Sequence, residues 1–332
     1  MRWPRLLPLA VALAGVAAAA PAGAWVRTTD PHTGAALGWR LPAIPWRLNR
    51  DWPRSSPSCV ATAAADPTFD AVRASFAEWQ LPCTDLRLLY AGGSTETRVG
   101  ASGVGDNVVV FRRGWCSQNP AAVNDACMTA PDGDCAGTYD CYQDSTTCIG
   151  RSSCLDWGVV ALTSVLYEPT TGRILSADIE VNGWDGTPGA LLRDSQQYGW
   201  YFTCYGGEAA AQPAECLRYG DPGCAYMDLQ NAVTHEVGHV LGLAHPCQDE
   251  SSCLAAPTDG GVPYVERTMA PTTHPKETVK RTLSPDETDA ICAIYPAPTG
   301  CGCGAGAGGG GATALSLLAL VALRPRRLFR RR

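Results

Sequence analysis

Three of the five histidines in this 332-residue chain fall within eleven residues, His235-Glu236-Val237-Gly238-His239-Val240-Leu241-Gly242-Leu243-Ala244-His245. His235 and His239 are four apart, so on a helix their imidazoles share one face. Gly242 can adopt the backbone conformation that ends a helix and turns the chain, which brings His245 back toward the same point. Any fold this chain adopts must therefore supply a helix, a tight turn and a cleft at one place. Three neutral imidazoles suit zinc and leave a fourth position open, as a catalytic site needs. Zinc in such a site lowers the pKa of bound water toward ~7. Glu236 directly follows His235 and is the candidate general base, taking the water's proton and passing it to the leaving amine.

The flanking sequence predicts an α+β fold, a twisted mixed sheet packed on helices. Ile44 to Asn49 reads as a first strand. Asp66-Pro67-Thr68 is a helix start, a capping carboxylate followed by proline at the first helical position. Phe69, Val72, Phe76 and Trp79 follow at helical spacing, and Pro82 closes the segment. Leu86 to Tyr90, Val108 to Phe111 and Val159 to Leu162 read as strands. Ala177-Asp178-Ile179-Glu180-Val181-Asn182 alternates apolar and polar residues, the pattern of a strand with one buried and one wet face. A helix over about Met227 to Leu241 carries the histidines, and Ser284-Pro285-Asp286-Glu287 opens a last helix with a capping box.

The ends of the chain set the compartment. Arg2 and Arg5, an apolar run from Leu6 to Ala20 and the small residues Ala22-Gly23-Ala24 have the form of a secretory signal peptide over residues 1–24. The 16 cysteines then meet an oxidising environment and read as disulfides. Six of them, at 116, 127, 135, 141, 148 and 154, fall in residues 112–157, expected to be a loop-rich insertion stapled by disulfides. Asp132, Asp134, Asp140 and Asp144 there are compatible with a Ca2+ site or with a solvated acidic loop. Cys59 and Cys83 flank the first helix and are candidates to pair; Cys247 and Cys253 are expected to form a disulfide, so that Cys247 is not a further metal ligand. At the other end, residues 299–332 run from a glycine-rich linker through an apolar stretch, Ala312 to Leu323, to six arginines. Such a tail is either removed or stays as a membrane anchor, the only membrane contact expected. With the eight arginines of the two ends set aside, 18 basic face 32 acidic side chains. That balance argues against nucleic acid as a partner.

The histidine segment matches the signature of the metzincin zinc peptidases. The match to the matrixin-like subfamily extends from about Ile44 to Pro296 and includes Leu283-Ser284-Pro285 and Ala293-Ile294-Tyr295-Pro296. The resemblance implies a catalytic domain over residues 44–298, preceded by an extension, 25–43, and a secreted or surface-displayed endopeptidase acting on protein or peptide substrates. It makes Met269, in Thr268-Met269-Ala270-Pro271, the methionine beneath the metal. It makes residues 177–182 the sheet edge to which substrate adds as an antiparallel strand. The tail resembles the sorting signals of myxobacterial surface proteins. The chain departs from the matrixin pattern at Pro246, where Ser or Thr is usual, and it lacks a Pro-Arg-Cys-Gly switch. The competing expectation is a surface binding or adhesion protein on the same scaffold, working through the cysteine-rich insertion; His274, five residues past Met269, is either a cleft residue or a surface histidine.

Overall fold

The structure is a computed structural model that describes residues 25–49, 59, 64–97, 99, 107–113, 116, 119–128, 135–139, 141, 159–183, 201–204, 226–256, 262–275 and 277–297. Its strands are β1 (Val26–Arg27), β2 (Ala43–Asn49), β3 (Arg87–Ser94), β4 (Val108–Arg113), β5 (Ala161–Tyr167), β6 (Ile174–Gly183), β7 (Tyr201–Thr203), β8 (Tyr226–Asp228) and β9 (Leu243–Ala244). Its helices are α1 (Pro67–Glu78), α2 (Pro120–Val123), α3 (Cys135–Tyr139), α4 (Leu229–Val240), α5 (Glu250–Ala255) and α6 (Pro285–Ile294). The fold is mixed α+β.

The central sheet has the order β3-β2-β4-β6-β5. The first four strands of that order run parallel to their neighbours, whereas β5 is antiparallel to β6. Helices α1 and α4 pack against one another, and α4 also lies against β5 and β6. Helix α1 begins as its sequence predicts: the Asp66 side chain accepts the Phe69 amide at 3.1 Å and Pro67 follows. Its buried face of Ala71, Val72 and Phe76 meets the core, where Phe76 stacks on Trp46 with ring centroids 4.1 Å apart. Trp79, fully buried, donates its indole N–H to the Thr234 carbonyl at 2.9 Å and so ties the end of α1 to the middle of α4.

Two expectations about the sheet are corrected. Residues 177–182 are not an edge, because β6 is paired on both sides, with β4 and with β5. The edge next to β6 is β5, which runs to Tyr167 and not only over Val159 to Leu162. Nor does β6 have a wet face: Asp178, Glu180 and Asn182 are all buried. Each has a partner within the protein instead of water. Asp178 accepts the Val108 amide at 2.9 Å, Glu180 pairs with Arg112 at 2.7 Å, and Asn182 donates to the Val159 carbonyl at 3.0 Å.

Five disulfides occur among the described residues: Cys59–Cys204, Cys83–Cys292, Cys116–Cys141, Cys127–Cys135 and Cys247–Cys253. The last is as expected. Cys59 and Cys83 do not pair with each other: they lie off opposite ends of α1, and each meets a partner that the fold brings up, Cys204 next to β7 and Cys292 in α6. Within the insertion, Cys116, Ala122, Met128, Cys135 and Cys141 form a small buried cluster of their own. Asp132, Asp134, Asp140 and Asp144 lie outside the described residues, as do the signal and tail segments. Five disulfides fit an extracellular protein. No helix among the described residues is long and apolar enough to cross a membrane.

The N-terminal stretch is built into the domain. Leu37 and Trp39 are in the core, and the Trp39 indole donates to the Val240 carbonyl at 2.8 Å. Strand β1 pairs antiparallel with β9, placing Val26 opposite Ala244 and Arg27 opposite Leu243.

Candidate metal centre

Helix α4 carries two of the three candidate ligands, and its ends are fixed by local chemistry. Asp228 caps it by accepting the Asn231 amide at 2.8 Å. Arg281 holds the same carboxylate, its Nε 2.8 Å from Asp228 Oδ1. At the far end Gly242 has φ +86°, and a Cβ there would lie 2.6 Å from the Leu37 carbonyl oxygen. Only glycine satisfies both the conformation and the close approach. The chain then turns through β9 and delivers His245 to the face of α4.

The three imidazoles converge. His245 Nε2 lies 3.1 Å from His235 Nε2 and 3.0 Å from His239 Nε2, and the potential ligand atoms of the three residues all fall within 4.8 Å of one another. Their orientation is set from behind. His235 Nδ1 is 2.7 Å from the Thr268 carbonyl oxygen, and His239 Nδ1 is 2.8 Å from that of Leu243. A carbonyl accepts only from N–H, so each Nδ1 carries the proton and each Nε2 presents a lone pair to the centre. Burial, then the neighbouring histidines, hold the pKa of His235 well below the usual histidine range. Burial, then His239, lowers that of His245 to about 3. Ring nitrogens this close hold either a shared proton or a cation between them. Tetrahedral zinc with bonds of ~2.0–2.1 Å sets its nitrogens about 3.3 Å apart, close to the separations here. The His235, His239 and His245 group can hold a metal ion.

Glu236 is buried beside the cluster, and Thr163 on the edge strand β5 donates its hydroxyl to Glu236 Oε2 at 2.7 Å. Burial raises the carboxyl pKa, offset in part by His239 and by the Thr163 hydrogen bond. Both residues line a cavity of about 510 Å³ together with the three histidines. Residues 177–182 do not line it; β5 does, through Ala161, Leu162, Thr163 and Val165.

Met269 is buried beneath α4. A Cβ at Gly238 would fall 2.2 Å from its sulfur, so the bare backbone between His235 and His239 is what lets the methionine pack there. The segment is anchored from α6, where Glu287 accepts the Met269 amide at 3.1 Å and the Ser284 amide at 3.1 Å. Cys247 is in its disulfide, and His274 is exposed and paired with Glu250 at 3.2 Å; neither belongs to the cluster.

Sequence reasoning did not reach Thr163, Gly238, the Thr268 carbonyl or Thr28. Thr28 donates its hydroxyl to the Leu243 carbonyl at 3.0 Å, the same oxygen that orients His239, and its amide to the Gly242 carbonyl at 2.9 Å. All four act across long sequence separations, where local spacing carries no signal. No protein-family model matches the chain, and no curated protein matches it.

Proposed function

We propose that the chain is a zinc-dependent endopeptidase of the metzincin type, matrixin-like, secreted or displayed at the cell surface. The observation that carries this reading is the combination of three converging imidazoles, two of them, His235 and His239, with their Nδ1 protons held outward, and a buried carboxylate, Glu236, beside their open side. A binding protein that merely kept a metal would have no use for a buried base there.

His235, His239 and His245 would hold the ion. When bound, zinc supplies an acidified water and polarises the scissile carbonyl. Glu236 accepts the proton of the attacking water and returns it to the leaving amine nitrogen. Its burial raises its proton affinity, which suits a base that must later act as an acid. Thr163 keeps the carboxylate turned toward the cleft. The outer side of β5 offers backbone N–H and C=O groups to an extended peptide, aligning it antiparallel across the cluster. That role moves from residues 177–182 to residues 161–167.

The test is cleavage of denatured casein by the secreted protein, with and without a zinc chelator, beside Glu236→Ala. Zinc-restorable cleavage that is lost in a variant still binding one zinc supports the reading. Normal cleavage by Glu236→Ala would refute the assigned base.

A further inference from the structure

The cavity beside the histidines ends in a polar corner that the metal chemistry does not use. Lys280 lines the cavity, on the 3₁₀ turn Val279–Arg281, with only 1% of its surface exposed. Lysine is almost never buried to this degree unless paired. Its ammonium donates to the Thr272 carbonyl oxygen and lies 3.0 Å from Glu277 Oε1. An ammonium has three N–H donors. Among the described residues the Thr272 carbonyl is its hydrogen-bond acceptor and Glu277 its ionic partner, so at least one donor is left.

The corner is held rigidly. Asn231 accepts the Lys280 amide at 2.8 Å and donates to Thr273 Oγ1 at 3.0 Å, which locks the turn and the Pro271–Thr273 wall to α4. Asn231 precedes His235 by one helical turn, about 6 Å along the axis. The rest of the cavity is lined largely by apolar or uncharged groups such as Val160, Val165, Ala232 and Pro271. A pocket meant only for an apolar side chain would be closed more cheaply by leucine or methionine, with no cation to desolvate.

We propose that this corner is a specificity site: Lys280 receives the carboxylate of an acidic side chain, aspartate or glutamate, from the substrate residue adjoining the cleaved bond. The inference rests on the peptidase reading. An entering carboxylate takes the remaining N–H and shares the ammonium with Glu277. An apolar side chain leaves that donor unmet, and a basic one is repelled.

The experiment is digestion of a mixed peptide library by the secreted protein, followed by sequencing of the new termini. Acidic residues are expected at one position beside the cut, enriched about tenfold over apolar ones, the effect of a single charge-assisted hydrogen bond. Lys280→Met should still cleave but lose that enrichment. Glu277→Gln, which removes the competing carboxylate, should increase it. Cleavage without acidic preference, or acidic preference retained in Lys280→Met, overturns the inference and leaves the peptidase reading intact. If Lys280→Met does not fold, Glu277→Gln decides alone, and unchanged or weaker enrichment is the overturning result. Absence of any cleavage by zinc-loaded protein removes both, through the failure of the peptidase reading.

Discussion

Gly238→Ala is the sharpest test of how the metal centre is supported. In an ordinary helix interior this change is worth about 1 kcal/mol in favour of alanine. Here the new Cβ would stand 2.2 Å from Met269 Sδ, 3.1 Å from its methyl carbon and 3.0 Å from a ring carbon of Trp79. Carbon contacts are optimal at about 3.5–4.0 Å, so the sulfur must retreat by more than an ångström. It has little room to do so, since Met269 is 3% exposed and its amide is held by Glu287, while Trp79 is fixed through Thr234. Overpacking of this kind costs about 1–3 kcal/mol. An overlap of 2.2 Å belongs in the upper half of that range, about 2–3 kcal/mol, so after the helix-propensity gain the net loss should be about 1–2 kcal/mol, a fall in Tm of roughly 2–8 °C for a domain of this size. The displaced segment includes Thr268, whose carbonyl orients His235, so zinc affinity should drop about tenfold as well. Thermal unfolding by circular dichroism, with and without zinc, and competition against a chromophoric chelator read both effects. Adding Met269→Ala should cost less in the Gly238→Ala background than alone, with a coupling of at least about 0.5 kcal/mol. A Gly238→Ala protein as stable as the parent and with unchanged zinc affinity would show that the methionine does not depend on the missing side chain.

Thr163→Val removes the hydroxyl that stabilises the Glu236 carboxylate, so the pKa of Glu236 should rise further and the acid limb of the pH–rate profile should move to higher pH, with zinc affinity unchanged. A profile that stays put refutes the role of that hydrogen bond. Thr28→Val should weaken zinc binding by about tenfold, because it frees the Leu243 carbonyl from one of its two anchors; chelator competition measures it. Replacing Cys83 and Cys292 together by serine should lower stability by about 2–4 kcal/mol in urea denaturation, since the bridge closes a long loop between the end of α1 and α6.

Elements whose cause is local are legible in the order of the amino acids. The first helix announced itself through Asp66, Pro67 and the spacing of its apolar face, the last through Ser284 and Glu287, and the ligand set through a four-residue helical spacing and one glycine. In each case the residues that cause the structure lie within a turn or two of the structure they cause. Alternation over Ala177 to Asn182 misled for the opposite reason. A polar residue facing water and a polar residue paired with a distant arginine, amide or carbonyl look alike in one dimension, and only β4 and the residues around Val159 distinguish them. The same limit hid which strand is the edge, how Cys59 and Cys83 pair, and the support that Thr28, Thr163 and Thr268 give to the histidines. Tertiary structure decided these because each depends on what a side chain meets after the chain has closed loops of tens to hundreds of residues.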